Sequence, residues 1–422
     1  MRAPKMFAVL LILVLGASLS SFGSDLALVH AKIYPSPTEA PIEDGAILIH
    51  NGRIRAFGPS VEVKLPRFAR EVTVLDCRGR VITAGFWNSH VHILTPGLLH
   101  ADTHSADDLS SQLEQMLTRW GFTTVFDTAS VLDNTNNIRR RIERGEIRGP
   151  RILTVGEPFY PKGGTPIYVK GFLAENQIPS AEVQSTPEAL ERVRVQIGKG
   201  ADGIKIFTGA ITAEGVLPMP TDLAKAIVSE AHRAGKPVFA HPSNAEGLEV
   251  AIRSGVDVLA HTAPMSGDWT PAFVERLKGA HLALIPTLTL FDVEAKKAKV
   301  SPEENETWIQ QAVQELRAYS DAGGQVLFGT DVGYIDHFDT AEEFTLMARA
   351  GMNFQQILAS LTTNPAARFG YSGRSGRIAK GMEADLVLLD GDPAGDVTAF
   401  SKVDRVIRQG KVIYPAIERR SE

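Results

Sequence analysis

His90 and His92 lie in Asn88-Ser89-His90-Val91-His92-Ile93, directly after the apolar run Val81 to Phe86. Residues two apart on a strand point to the same face, so both imidazoles can reach one ion from one side. Zinc and similar metals take histidine nitrogen at roughly 2.0–2.1 Å. An isolated pair of this kind also serves as two polar residues on a half-exposed strand. Here the run before the pair is too apolar for an exposed edge, and further metal-type residues recur downstream, each closing a predicted strand.

His241 ends Val238-Phe239-Ala240-His241, and His261 ends Val258-Leu259-Ala260-His261. Either alone would read as a satisfied core histidine; two on adjacent strand ends, after the first pair, point to a shared metal site. Asp331 closes Phe328-Gly329-Thr330-Asp331. It could cap the following helix, but beside a metal cluster a carboxylate offers both a ligand and a general base. Lys205 sits in Gly203-Ile204-Lys205-Ile206-Phe207, facing away from Ile204 and Ile206. In a parallel sheet buried on both faces, such a lysine is paired, neutral or modified, because burial depresses its pKa. A plain buried ion pair satisfies that condition. So does a carbamate formed from the neutral amine and carbon dioxide, an oxygen ligand able to bridge two cations.

These residues need elements to hold them. Eight strands are predicted: Val81–His92, Thr123–Thr128, Arg151–Gly156, Gly203–Thr208, Val238–His241, Val258–Thr262, Leu282–Thr287 and Val326–Asp331. Amphipathic segments such as Thr186–Lys199, Thr221–Ala234 and Pro302–Ala322 alternate with them. Strand and helix alternation implies parallel βαβ units, and eight units imply an α/β fold of (β/α)₈ TIM-type barrel, spanning 81–375. Ala46–Ile54 reads as a hairpin on the Asn51-Gly52 turn. Strands resume from Gly376 to Ile413, so residues 25–80 and 376–422 are expected to form a small composite β-sandwich domain from both chain ends. The Pro- and Gly-rich segment Glu157–Ser185 carries Phe159, Tyr160, Tyr168 and Phe172. It follows the third strand, where barrel active sites are built, and is expected to wall or cover the pocket.

Composition narrows the partners. The 422 residues carry 44 Lys and Arg against 49 Asp and Glu, a formal charge of −5, with no basic cluster that would suit nucleic acid. Arg2 and Lys5 precede the apolar stretch Met6–Leu15 and then small residues to Ser24. This pattern describes a signal peptide over 1–24, hence an exported, periplasmic or secreted protein, and the stretch is too short for a comfortable membrane span. Cys77 is the sole cysteine, which excludes an intramolecular disulfide.

The order of these residues on strands one, four, five, six and eight resembles the amidohydrolase superfamily. Gly376-Arg377-Ile378-Ala379-Lys380-Gly381-Met382-Glu383-Ala384-Asp385-Leu386-Val387-Leu388-Leu389-Asp390 looks like that family's return into its β domain. Thr363-Asn364-Pro365-Ala366 and Val406-Ile407-Arg408-Gln409-Gly410-Lys411 fit as well, and Gly200-Ala201-Asp202-Gly203-Ile204-Lys205 suggests the imidazolonepropionase-related, prolidase-like (Xaa-Pro dipeptidase-like) branch. The resemblance implies two divalent metal ions, expected to be zinc. His90, His92 and Asp331 would hold one and His241 and His261 the other, with N6-carboxylated Lys205 between them and Asp331 as proton carrier. Ala84 stands where the family usually has proline, and Asn88-Ser89 replaces its common acidic residue; neither position is a ligand, so these departures bear on how the metals are tuned.

The reading is therefore an exported metallohydrolase cleaving the C–N bond of a small molecule, a dipeptide or an N-acyl amino acid. A cyclic-amide or imidazolone hydrolase and a mononuclear deaminase fit the same barrel. A non-catalytic binding protein fits least, since no ligand is lost. Tyr334, Tyr168 and His337 are the candidate substrate contacts. His100 and His104 also fall in loops on the active face, whereas His30, His50, His232 and His281 read as structural or exposed. Neither nucleic acid nor stable membrane insertion is expected, and homo-oligomerisation is left open.

Overall fold

The computed structural model describes residues 25–64 and 72–416. The expected signal peptide over 1–24 lies outside the described residues, as do 65–71 and 417–422 of the expected β domain. No helix among the described residues is long and apolar enough to cross a membrane.

Both chain ends contribute to one eight-stranded sheet. Asp25–Ile33, Ile42–His50, Arg53–Pro59, Val72–Asp76 and Val81–Ala84 pair there with Leu386–Leu389, Val403–Arg408 and Lys411–Tyr414. Register shifts in Asp25–Ile33 let its first half pair Val72–Asp76 and its end pair Val81 and Ile82. Alternate residues from both ends, including Leu28, Ile47, Ile82, Leu386 and Ile407, bury into a shared apolar cluster, as period-two strands with one covered face require. The Asn51-Gly52 hairpin forms as expected, both residues having positive φ.

The intervening chain alternates strands with helices in a mixed α/β fold. Phe86–Val91, Phe122–Asp127 and Arg151–Thr154 form one parallel arc. Ile204–Phe207, Val238–His241, Val258–Ala260, Ala283–Ile285 and Gln325–Val326 form a second, of five strands. Backbone hydrogen bonds cross both gaps between the arcs. Ser89 N donates to Phe328 O at 2.7 Å and His92 N to Val332 O at 2.8 Å on one side; Phe159 N donates to Lys205 O at 2.8 Å on the other. The helices Thr186–Gly198, Thr221–Arg233 and Pro302–Asp321 fall where the periodicity places them, and Phe354–Leu361 is a further helix.

Three expectations need correction. Val81–His92 is not one strand: it divides at Gly85, whose N–H donates to Asp385 O. Val81–Ala84 joins the outer sheet, and only Phe86–Val91 joins the arc. A Cβ at Gly85 would meet Thr123 Oγ1 at 2.2 Å, so the crossing requires glycine. Regular pairing also stops short of the expected strand ends, at Ala260, Ile285 and Val326; at His261 (φ 80°) the left-handed backbone cannot continue the ladder, and Thr287 (φ 45°) and Asp331 (φ 63°) follow as further left-handed turns. Finally, the Glu157–Ser185 segment contains a helix, Ile167–Glu175, and a small hairpin, Gly209–Thr212 with Gly215–Pro218, follows the Lys205 strand.

Alternation along the arc strands sorts their side chains. Ile204, Ile206, Val238, Ala240 and Leu259 turn outward into the core shared with the helices. Trp87, Phe126, Leu153, Phe239 and Leu327 turn inward and pack with Phe369 and Tyr371; the Phe126 ring lies 4.7 Å from Phe239 and 4.9 Å from Phe369. This aromatic floor fills the inner space below the strand ends. A buried salt bridge from Arg151 to Glu383 (2.8 Å) and one from buried Arg408 to exposed Glu143 (2.6 Å) fasten the outer sheet to the strand-and-helix core.

Candidate active site

Above the floor, the strand ends open into a cavity of about 810 Å³. His90, His92, Lys205, His241, His261 and Asp331 all line it, so the six residues selected on spacing meet on one surface. The imidazole centroids of His90 and His261 are 4.6 Å apart and those of His241 and His261 are 4.8 Å apart. His90, His92 and Asp331 each direct one donor atom to within 4.8 Å of the others. The separations are 3.3 Å between His90 Nε2 and His92 Nε2, 2.8 Å from His92 Nε2 to Asp331 Oδ1, and 3.1 Å from His90 Nε2 to Asp331 Oδ1.

Hydrogen bonding fixes which ring nitrogens are free. His92 Nδ1 lies 2.8 Å from Ala129 O, which can only accept, so the proton sits on Nδ1. A neutral His92 then aims the Nε2 lone pair at the Asp331 carboxylate, a repulsion that a cation between them removes. His261 Nδ1 lies 2.7 Å from Thr287 Oγ1, whose own hydrogen goes to Pro286 O. His261 therefore also donates from Nδ1 and presents Nε2 to the cavity. His90 Nδ1 is buried without a partner among the described residues, leaving its Nε2 as the engaged nitrogen. Imidazole nitrogens facing a carboxylate, two of the rings oriented from behind by Ala129 O and Thr287 Oγ1, are the donor set that binds divalent transition metals, and these residues fit such an ion.

Electrostatics agrees. Burial pushes His90 down to about 3 and holds His241 and His261 well below the usual histidine range, so their imidazoles are neutral near neutral pH, the form a metal takes. Burial would lower His92, but the hydrogen bond and charge of Asp331 raise it overall. Burial would raise Asp331, but its histidine neighbours hold it well below the carboxylate range, ionised. Lys205 is pushed down to about 7 by burial and forms no salt bridge among the described residues; its Nζ lies 5.7 Å from the Phe207 ring centroid. The ion-pair alternative for Lys205 is thus not what the fold provides, and a substantial neutral fraction is available near pH 7.

The substrate-contact expectations divide. Tyr168 and Tyr334 line the cavity with rings 5.4 Å apart. His337 does not line it: the side chain lies 3.9 Å from Glu342 Oε2, about 41% exposed, because the turn after Asp331 carries it past the rim. His100 borders a smaller neighbouring cavity, and His104 lines neither. His30, His50 and His232 pair with Asp44, Asp25 and Asp257 away from the site. Sequence reasoning missed Leu290 and Phe291, on the helix Leu288–Ala298 that it did not single out, and Trp308, in a segment read only as amphipathic; all three line the cavity. It also missed Asp127, which is buried and accepts from Ile93 N, Thr154 Oγ1 and Ser130 Oγ, bracing the turn that presents Ala129 O. Asn88 accounts for itself: its Nδ2 donates to Thr330 Oγ1 at 2.8 Å and its Oδ1 accepts from His90 N, tying the strand of His90 to the segment that carries Asp331.

Residues 81–413 match the amidohydrolase family, and the chain belongs to it; it is a hydrolase acting on C–N bonds. It is similar to the imidazolonepropionase of Thermoplasma acidophilum, 24% identical over 405 residues covering 88% of this chain and 90% of that one. The ochratoxinase of Aspergillus niger is 24% identical over 428 residues, covering 92% and 86%. In fold it resembles a Xaa-Pro dipeptidase solved with bound methionine, with a TM-score of 0.78, 24% identity and coverage of 92% of this chain and 99% of that one.

Proposed function

We propose that this chain is an exported, two-metal amidohydrolase that hydrolyses the amide bond of a dipeptide or an N-acyl amino acid. In this reading the two parallel arcs make one (β/α)₈ barrel over 81–375, with 25–80 and 376–422 as its β domain. The observation that carries the proposal is the meeting of His90, His92, Lys205, His241, His261 and Asp331 on one cavity. The imidazolonepropionase and ochratoxinase relatives and the Xaa-Pro dipeptidase fold support C–N hydrolysis.

His90, His92 and Asp331 would hold one divalent ion, expected to be zinc, and His241 and His261 a second. Lys205, as its N6-carboxylate, would help to hold both. Bound there, two ions supply Lewis acidity and a water of lowered pKa. The chain's own residues do the rest. Ala129 O and Thr287 Oγ1 hold the His92 and His261 rings in the ligating tautomer. Asp331, ionised and buried, takes the proton of the attacking water and passes it to the leaving nitrogen. Tyr334 and Tyr168 contact the substrate beside it. The deciding experiment measures metal per chain and hydrolysis over a panel of dipeptides, N-acyl amino acids and cyclic imides. Two ions with turnover of the linear amides is expected; one ion with full activity, or turnover confined to the imides, would overturn the proposal.

A further inference from the structure

The cavity walls indicate what the substrate carries beside its scissile bond. The helix Ile167–Glu175, sequence IYVKGFLAE, is rich in apolar residues yet none of its residues is buried. Val169, Phe172 and Leu173 instead line the cavity, where further apolar wall comes from Leu290, Phe291 and Trp308. Two more lining residues, Ile167 at 50% and Met265 at 68% exposure, leave apolar surface at the mouth. Apolar surface left open around a site marks a place where a ligand completes the packing. The volume, about 810 Å³, lies toward the upper end of the roughly 300–1,000 Å³ usual for small-molecule pockets. A dipeptide of two small residues would leave most of these walls wet.

Charge points the same way. No arginine lines the cavity among the described residues. Lys297, the lining cation other than Lys205, is held 3.0 Å from Glu294 and lies 4.8 Å over the Tyr334 ring. Among the described residues, the walls away from Lys205 therefore offer no unpaired cation, and recognition there leans on apolar burial.

We infer that the cavity takes amides bearing a bulky apolar group, an aromatic ring or an alkyl chain of medium length, seated against Val169, Phe172 and Leu173 of the Ile167–Glu175 helix. Phe172 is its specificity-determining residue. The inference rests on the amide-hydrolase reading for the scissile bond but not for the shape of the wall, and the test separates the two.

The test uses the zinc-loaded full chain with an N-acyl-L-alanine series from acetyl through butyryl and hexanoyl to octanoyl. It reads both kcat/KM and equilibrium affinity, the latter from quenching of Trp308 fluorescence. Each methylene buried should raise both by about fourfold until the wall is covered. Phe172→Ser, on a helix with no buried residue and so without cost to the core, should cut that gain to twofold or less per methylene. A flat series in both readouts overturns the inference. So does a wild-type gain that Phe172→Ser leaves unchanged, since the apolar group would then sit elsewhere. If affinity climbs along the series, and does so less in Phe172→Ser, while no member is hydrolysed, the wall is as inferred and the amide-hydrolase reading is what fails.

Discussion

His92 Nε2 lies 2.8 Å from Asp331 Oδ1, although 239 residues separate the two along the chain. The contact joins the Phe86–Val91 strand to the segment that closes the second arc, where Asp331 N donates to His90 O. Asp331 holds a left-handed backbone there, φ 63°, a conformation that costs of order 1–3 kcal/mol for a non-glycine residue and concentrates at functional sites. The distortion turns a carboxylate inward toward two imidazoles that the surrounding fold has already oriented.

Asp331 is assigned two jobs and His90 one. Asp331→Asn preserves shape and one ligating oxygen but removes the base, so it should fold, retain substantial metal and lose on the order of 10²–10⁴ in rate. His90→Ala should lose metal together with activity. Metal content and turnover of both variants are the measurements. Near wild-type turnover by Asp331→Asn with two ions bound would show the mechanism to be wrong.

Lys205 has no salt-bridge partner among the described residues and is pushed down to about 7 by burial, so the free amine can add carbon dioxide. Wild type should carry about two ions per chain, as two-metal hydrolysis requires, and Lys205→Ala should lose the bridge and most activity. A small carboxylate such as formate should restore part of it by supplying the missing oxygens. Full activity in the unrescued variant would rule out the bridge.

Glu343 gives a pH signature outside the site. It is buried and accepts from Leu288 N, Thr289 N and Thr289 Oγ1, yet burial outweighs these donors and raises it from 4.5 to about 7. A carboxyl raised on folding holds its proton more tightly in the native state. Its contribution is thus fully present below about pH 4.5 and is lost as pH rises through about 7. Urea unfolding of wild type against Glu343→Gln should show wild type losing relative stability over that window, by on the order of 1.4 kcal/mol per pH unit, and no further change above it. A difference independent of pH would contradict the shift.

Export follows from the Arg2 and Lys5 start and the Met6–Leu15 apolar stretch. The mature N-terminus should fall between about Ser18 and Asp25, and N-terminal sequencing of protein from its host checks this. An intact Met1 on soluble cytoplasmic protein would refute it.

The six cavity residues were legible in the sequence because Lys205 lies within an apolar strand run and the other five sit at or near the end of one, and one-dimensional periodicity reports which face a strand residue takes. His90 with His92, Lys205 between two outward isoleucines, and the terminal His241, His261 and Asp331 all follow from that rule. The rule says nothing about where a ladder stops. The break at Gly85 depends on the approach of Thr123, 38 residues on, and the left-handed turns at His261 and Asp331 answer to neighbours on other strands. Nor could spacing distinguish His337, which the turn after Asp331 carries outside, from Tyr334 three residues earlier, which lines the cavity. Part of the apolar wall was hidden for a related reason. Phe172 belongs to the segment expected to wall the pocket, but nothing in the spacing of Phe291 and Trp308 marks them until the tertiary fold leaves them facing open space. Residue types and periodicity determined which chemistry the chain carries; long-range packing decided which nitrogens are free, how deep the site lies and what can enter it, because those depend on atoms far apart in the chain and adjacent only in space.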